Sequence, residues 1–404
     1  MENLKKENNP KPRLFGLPRN VFFLGITSFF NDFSSEMVFS VFPAFFTSVL
    51  NTGAASIGFV DGIAEGFSNF FKIYSGNLSD RLQRRKPFVV VGYILSTLTR
   101  PFYMFTYTVP GALGLRVLDR IGKGLRDAPR DSILSLSSPR NELGRSFGYH
   151  RAMDTMGSIL GPLAAYFILK YLPLNFNAVF LTAFLAGTVT IFTFFFISDI
   201  VLSQPSVKKN NILSAFKNLS LQFKLFILSI FILSVGSLPV VVVLLKVQSI
   251  GLLIANIPLF YMIYNLSFVV FSTIAGKMSD SFGSRKIIFS GYTILLISYF
   301  FIGIANTPLA LSFGFLLFGL FPALTDGVQR SFASQMSEDD MRGSALGLLN
   351  ASVGMGIIIA GIGGGYLWQT FGPTFTFFIS GTIIIIGLSL FFISSMKRFR
   401  VQSN

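Results

Sequence analysis

The chain has 404 residues, 51% of them hydrophobic and only 13% charged, where a soluble domain carries about 25% charged residues. That composition excludes a soluble globular protein and points to one built for the lipid bilayer. A net charge of +15 would suit nucleic acid, but the lysines and arginines gather in short connections between apolar runs, which excludes that partner.

With no cysteine there is no disulfide, thiol chemistry or cysteine-bound metal, and a lone histidine rules out a His-rich metal centre, though not a carboxylate-bound ion. No cofactor is expected, since nucleotide-binding loops and a recognisable nucleophile–base set are both absent from the sequence, and the chain does not read as an enzyme. A bilayer core of about 30 Å requires roughly 20 helical residues per crossing. The apolar runs, measured against that length, give twelve spans.

Residues 1–20 are polar and basic, and read as a loosely ordered tail. Span 1, about 21–50, carries Asp32 and Glu36 one helical turn apart on one face. Span 2, about 55–78, carries Asp61, Glu65 and Lys72 on one face. It ends in the charged turn Gly76-Asn77-Leu78-Ser79-Asp80-Arg81-Leu82-Gln83-Arg84-Arg85-Lys86, and span 3 follows at about 87–108. Span 4, about 111–136, is the most charged. Arg116, Arg120, Lys123, Asp127 and Arg130 recur at helical spacing as one polar stripe, with Asp119, Arg126 and Asp131 beside it. Span 5, about 144–171, holds His150 and Asp154 and then Gly157-Ser158-Ile159-Leu160-Gly161-Pro162. For His150 a hydrogen bond to backbone or to the preceding loop is the simplest expectation. The small residues Gly157 and Gly161 allow close helix packing, and Pro162 favours a kink. Span 6, about 176–197, closes a first bundle over 21–200.

A polar segment, 201–219, links it to a second bundle over 220–396, with spans at about 220–246, 255–279, 286–305, 308–336, 342–369 and 373–396. Residues 397–404 form a basic tail. The second bundle repeats the first. Gly276-Lys277-Met278-Ser279-Asp280-Ser281-Phe282-Gly283-Ser284-Arg285-Lys286 restates the charged turn, and Leu346-Gly347, Ala351 and Gly356 echo Phe147-Gly148, Ala152 and Gly157. Such duplication is common in secondary transporters, whose substrate sites lie near midplane where the repeats meet. Lysine and arginine crowd alternate connections, so the positive-inside rule puts both termini in the cytoplasm.

An ionised side chain near the centre of a lipid-facing helix costs about 2.5–3.5 kcal/mol. Asp32, Glu36, Glu65, Arg116, Arg120 and Asp154 must therefore face one another or a wet cavity. The acids Glu36, Asp32, Glu65 and Asp154 are proton-coupling candidates, because hydration and a neighbouring arginine both change how readily a carboxyl ionises. The alternative is a permanent ion pair such as Glu65 with Arg120. Arg116 and Arg120 either hold an anionic substrate group or balance the acids. Tyr261, Tyr264, Asn265 and Asn350 are the polar substrate candidates in the second half, with Asp326 and Arg330 low in span 10.

The paired charged turns resemble the signature loop of the major facilitator superfamily, G-x-L-x-D-R-x-G-R-K, which follows the second helix of each half. The first copy departs from it at Gln83 and the second at Ser281. The resemblance covers nearly the whole chain and implies an all-α membrane fold of twelve helices in two pseudo-symmetric six-helix bundles. It implies a gate as well, formed by Gly76, Asp80, Arg81, Arg84, Lys123 and Arg126 in the first half and by Asp280 and Arg285 in the second. The Gly157/Gly161/Pro162 run is similar to the antiporter motif of exporters, although Ala165 and Tyr166 stand where its last glycines belong. Asn31-Asp32-x-x-Ser35-Glu36, Asp119-Arg120 through Arg130-Asp131, His150-Arg151-Ala152-Met153-Asp154 and Thr325-Asp326-Gly327-Val328-Gln329-Arg330 look like a prokaryotic subgroup of efflux-type permeases. The implied function is a monomeric, proton-coupled exporter of a small amphipathic organic molecule. An importing symporter and a non-transporting sensor are the alternatives. If the turn is a gate, Asp80→Asn slows transport while expression stays near normal; wild-type turnover in that variant, measured in reconstituted vesicles, would argue against gating.

Overall fold

The computed structural model describes residues 13–82, 84–139, 142–199, 220–337 and 342–396. The helices in the first part of the chain are α1 (Arg19–Ser48), α2 (Ala54–Leu82), α3 (Lys86–Phe102), α4 (Val109–Ser137), α5 (Leu143–Tyr171) and α6 (Phe176–Phe194). In the second part they are α7 (Leu221–Gly236), the short α8 (Val240–Val243) and α9 (Leu245–Ser249), α10 (Ile257–Phe282), α11 (Ser284–Ile304), α12 (Pro308–Gln335) and α13 (Arg342–Met396). The segment 201–219 and the tail 397–404 lie outside the described residues.

Local chemistry sets many of these boundaries. Thr108, Asn175, Ser220 and Thr307 each accept a bond from a backbone N–H three residues on, at the starts of α4, α6, α7 and α12. Gly283, at φ +90°, closes α10 and opens α11, in a conformation that side chains resist. Among the described residues eight stretches are long and apolar enough to cross a membrane: 86–105, 143–171, 176–194, 221–243, 254–282, 284–304, 308–335 and 344–393. The last of these bends at Gly372 (φ +82°), just before Pro373, where spans 11 and 12 are expected to meet. The helices α1, α2 and α4 are equally long but too polar to join that set.

Two local expectations change. Residues 13–18, read as loose tail, form a hairpin in which Leu14 pairs with Leu17. Phe15 and Gly16 both have positive φ, as a tight two-residue turn needs, and Arg13 holds Glu142 at 2.7 Å. Span 7 is broken, not continuous. Its helix stops at Gly236, and Pro239, which cannot donate a backbone hydrogen bond, starts the short α8. Tyr299 repairs the gap, its hydroxyl accepting from Leu238 N at 2.7 Å and donating to Gly236 O at 3.2 Å.

Glycine brings the two halves of the chain together along α2 and α13. A β-carbon at Gly361 would stand 2.8 Å from Gly62 Cα, and one at Gly365 would stand 3.1 Å from Ala55 Cα. Gln369 Oε1 accepts from Ala55 N at 3.1 Å at the end of this seam, and Gln248 Nε2 donates to Thr47 Oγ1 at 3.0 Å nearby. Phe42, Phe45, Phe46 and Val241–Val243 are fully or almost fully buried at the same end. That end of the molecule is sealed by apolar packing. Gly361→Val should lower the thermal unfolding midpoint of the detergent-solubilised protein by several degrees, since overpacking a close contact costs about 1–3 kcal/mol. An unchanged midpoint would mean that the seam parts readily.

Candidate functional site

Two connected cavities lie between the halves. The wider, about 710 Å³, opens toward the end that carries the charged turns and is lined there by Asp131, Asp280 and Arg330. The narrower, about 380 Å³, reaches toward the sealed end and is lined by Phe39, Tyr261, Tyr264, Tyr292, Phe318 and the Ser237–Val240 break. Glu36, Arg120, Lys123, Pro322 and Asp326 line both and form the throat between them.

The stripe on α4 folds against acids from α2. Arg116 reaches Asp61 Oδ1 with Nη2 at 2.7 Å and Nε at 3.1 Å, and lies 3.5 Å from Asp119. Its guanidinium sits 4.6 Å from the Phe39 ring centroid and 5.2 Å from that of Phe42, so the cation is also held on aromatic faces. The Arg116 and Asp61 side chains are 3% and 4% exposed. Arg116 lines neither cavity, so of its two expected roles the geometry favours charge balance. Arg120 does face the throat, with Nη1 3.2 Å from Glu65 and Nε 3.4 Å from Asp119. The Glu65–Arg120 pair anticipated as a structural alternative is therefore present. Lower on the stripe, Lys72 meets Asp127 at 3.3 Å, and Arg126 donates to Ser96 Oγ at 2.7 Å while lying over the Tyr93 ring.

The remaining acids are placed on α1 and α5. Glu36 accepts a hydrogen bond from the Tyr261 hydroxyl, which comes from α10 in the other half. Asp32 accepts from Asn31 Nδ2 at 2.8 Å and lines the wider cavity. Asp154 lines it too, accepting from Ser28 and lying 3.4 Å from His150 Nδ1. His150 therefore faces Asp154, not backbone as expected, and its Nε2 is buried without a partner among the described residues. Gly157 and Gly161 carry α5 against α1: a β-carbon at Gly157 would stand 3.1 Å from that of Asp32, and one at Gly161 would stand 3.1 Å from Met37 N. The helix continues through Pro162.

Of the substrate candidates, Tyr261 and Tyr264 line the narrower cavity with stacked rings. Asn265 instead donates to Ser158 O at 3.1 Å, a bond between the halves, and Asn350 lines neither cavity. Of the gate candidates, Lys123, Arg126 and Asp280 line the wider cavity. Gly76 faces Ala128, Arg84 is exposed in its turn, and Arg285 lies over the Phe332 ring. The side chains of Asp80 and Arg81 lie outside the described ones. Sequence reading assigned no role to Tyr292, Phe318 or the helix break, which carry no pattern distinct from packing. Asp61 was visible by its spacing to Glu65, but nothing in the sequence named its partner.

Breaking a buried ion pair on one side leaves a bare charge and costs about 3–5 kcal/mol. Arg116→Leu and Asp61→Leu should each cause a large loss of folded yield, and the double variant should recover much of it. Additive losses in a double-mutant cycle would dissolve the pair.

Comparisons with known proteins agree with this architecture. The family model described as "Major Facilitator Superfamily" matches residues 24–270 and 225–403. An uncharacterized MFS-type transporter of Methanocaldococcus jannaschii is 36% identical, over 97% of this chain and 98% of that protein. The multidrug resistance protein MdtH of Photorhabdus laumondii is 24% identical, over 87% of this chain and 88% of that protein. Among solved structures, the nucleoside transporter NupG superposes with a TM-score of 0.79 at 13% identity, covering 94% of this chain and 99% of that one. A peptide transporter POT bound to sulfate gives 0.75 at 15% identity, covering 95% of each chain. At such identity the two structures share the fold alone.

Proposed function

The chain belongs to the Major Facilitator Superfamily, and on that premise we propose that it is a proton-coupled secondary transporter exporting a small amphipathic organic compound by alternating access. In this reading twelve helices form two six-helix bundles, over 21–200 and 220–396, that rock about the site between them. In the same reading the basic residues at the charged turns face the cytoplasm, with both termini on that side of a cell membrane, as the positive-inside rule supports. The wider cavity then faces inward, and the glycine seam with its apolar plug closes the outside.

One observation carries the coupling: Glu36, in the throat, accepts its hydrogen bond from Tyr261 of the opposite half. A proton arriving on Glu36 removes the charge that this bond serves, and charge-assisted bonds are roughly twice as strong as neutral ones. Loading a proton thus weakens one tie between the halves and favours rearrangement. Asp32 and Asp154, farther along the wider cavity, are placed to pass protons to and from the open side. Export is favoured over import by the likeness to MdtH. The engagement of Arg116 and Arg120 by carboxylates also leaves little for an incoming organic anion.

The test is purified protein in liposomes with a trapped pH-sensitive dye and an imposed proton gradient. Lipophilic cations, organic anions and sugars are added one at a time. A compound that dissipates the gradient in wild type should lose at least most of that effect in Glu36→Gln, with protons and substrate moving in opposite directions. Coupling retained in Glu36→Gln would exclude the assigned proton site, and co-directional movement would replace export with import.

A further inference from the structure

The throat holds two charges of opposite sign that form no ion pair or hydrogen bond among the described residues. Lys123, on α4 in the first half, lines both cavities and makes no ion pair or hydrogen bond among the described residues. Asp326, on α12 in the second half, lines both cavities in the same condition. Their neighbours are already engaged, Arg120 by Glu65 and Asp119 and Glu36 by Tyr261. Arg330, one turn beyond Asp326, lines only the wider cavity and forms no ion pair with it.

Beyond the throat the narrower cavity is walled by Phe39, Tyr261, Tyr264, Tyr292 and Phe318, surfaces that receive flat apolar groups. A cationic ligand seated there would satisfy Asp326 but meet Lys123 as a like charge. An anionic ligand would satisfy Lys123 and repel Asp326. A like charge brought beside Lys123 or Asp326 is penalised, and a site that presents both charges discriminates by that penalty. We propose that the substrate is a zwitterion bearing an aromatic or similarly flat apolar group, its acidic end on Lys123 and its cationic end on Asp326. Because the two residues belong to different halves, such a ligand bridges them and draws them together as it loads. This inference rests on the transport reading above and narrows its substrate class.

The test compares tryptophan with its methyl ester and its N-acetyl derivative, which keep the ring but carry a net positive or a net negative charge. Each is assayed for proton-coupled flux in the same liposomes. Wild type should respond to tryptophan at concentrations lower by about tenfold or more than to either derivative, as expected when one charged partner is lost. Lys123→Gln should erase the advantage over the ester, and Asp326→Asn the advantage over the N-acetyl form. A wild-type response as strong to the ester or to the N-acetyl form overturns the zwitterion and leaves the transporter standing. No response to any of the three overturns it as well; if the lipophilic cations, organic anions and sugars also leave the gradient intact, the transport reading falls with it. The wild-type ranking alone decides if either variant fails to purify as a single species.

Discussion

The structure depends on one constraint: charge carried on a helix packed among apolar helices must find either an opposite charge or an open cavity. α4 meets it along its length. Its upper arginine is locked to Asp61 and laid on two phenylalanine rings. The next is shared between Glu65 and Asp119 at the edge of the throat, and the lower groups pair around an open cavity. The stripe therefore grades from a buried anchor to a cavity wall. Helices α1, α2 and α5 are held around it by the acids and glycines that face it and one another.

The same constraint explains where irregular backbone is tolerated. The break at Ser237–Pro239 frees backbone groups that hydrocarbon could not satisfy. Tyr299 satisfies two of them, and the break itself lines the narrower cavity. Closure at the opposite end needs no charge. Four glycines on α2 and α13 let the halves touch backbone to backbone, and the phenylalanines of α1 pack against one another and against Tyr103, Phe176 and Phe180. One end is thus held by short-range packing, and the other opens into the wider, charge-lined cavity.

Family membership and site chemistry rest on different ground. The likeness to an archaeal MFS-type transporter runs the length of the chain. The solved structures share its fold at 13–15% identity, and their ligands belong to their own side chains. The throat is lined by this chain's own residues: Glu36 is tied across the halves to Tyr261, while Lys123 and Asp326 form no ion pair or hydrogen bond among the described residues.

The sequence by itself determined the membrane class, most helix limits to within a few residues (the broken span 7 apart), and the presence of a polar stripe on span 4. Each of these is written in local composition or helical period, which hydrocarbon thickness and helix geometry read directly. It also placed Asp32, Glu36 and Glu65 among the charges that could not face lipid. Only the tertiary structure decided the partners. Arg116 faces Asp61 and not the cavity, Asn265 reaches a backbone carbonyl on α5, and His150 turns to Asp154. Periodicity says which face of a helix a residue shares, but not which helix that face meets. Pairing between residues 55 to 225 positions apart, as in Asp61 with Arg116 or Glu36 with Tyr261, is set by packing of the whole bundle.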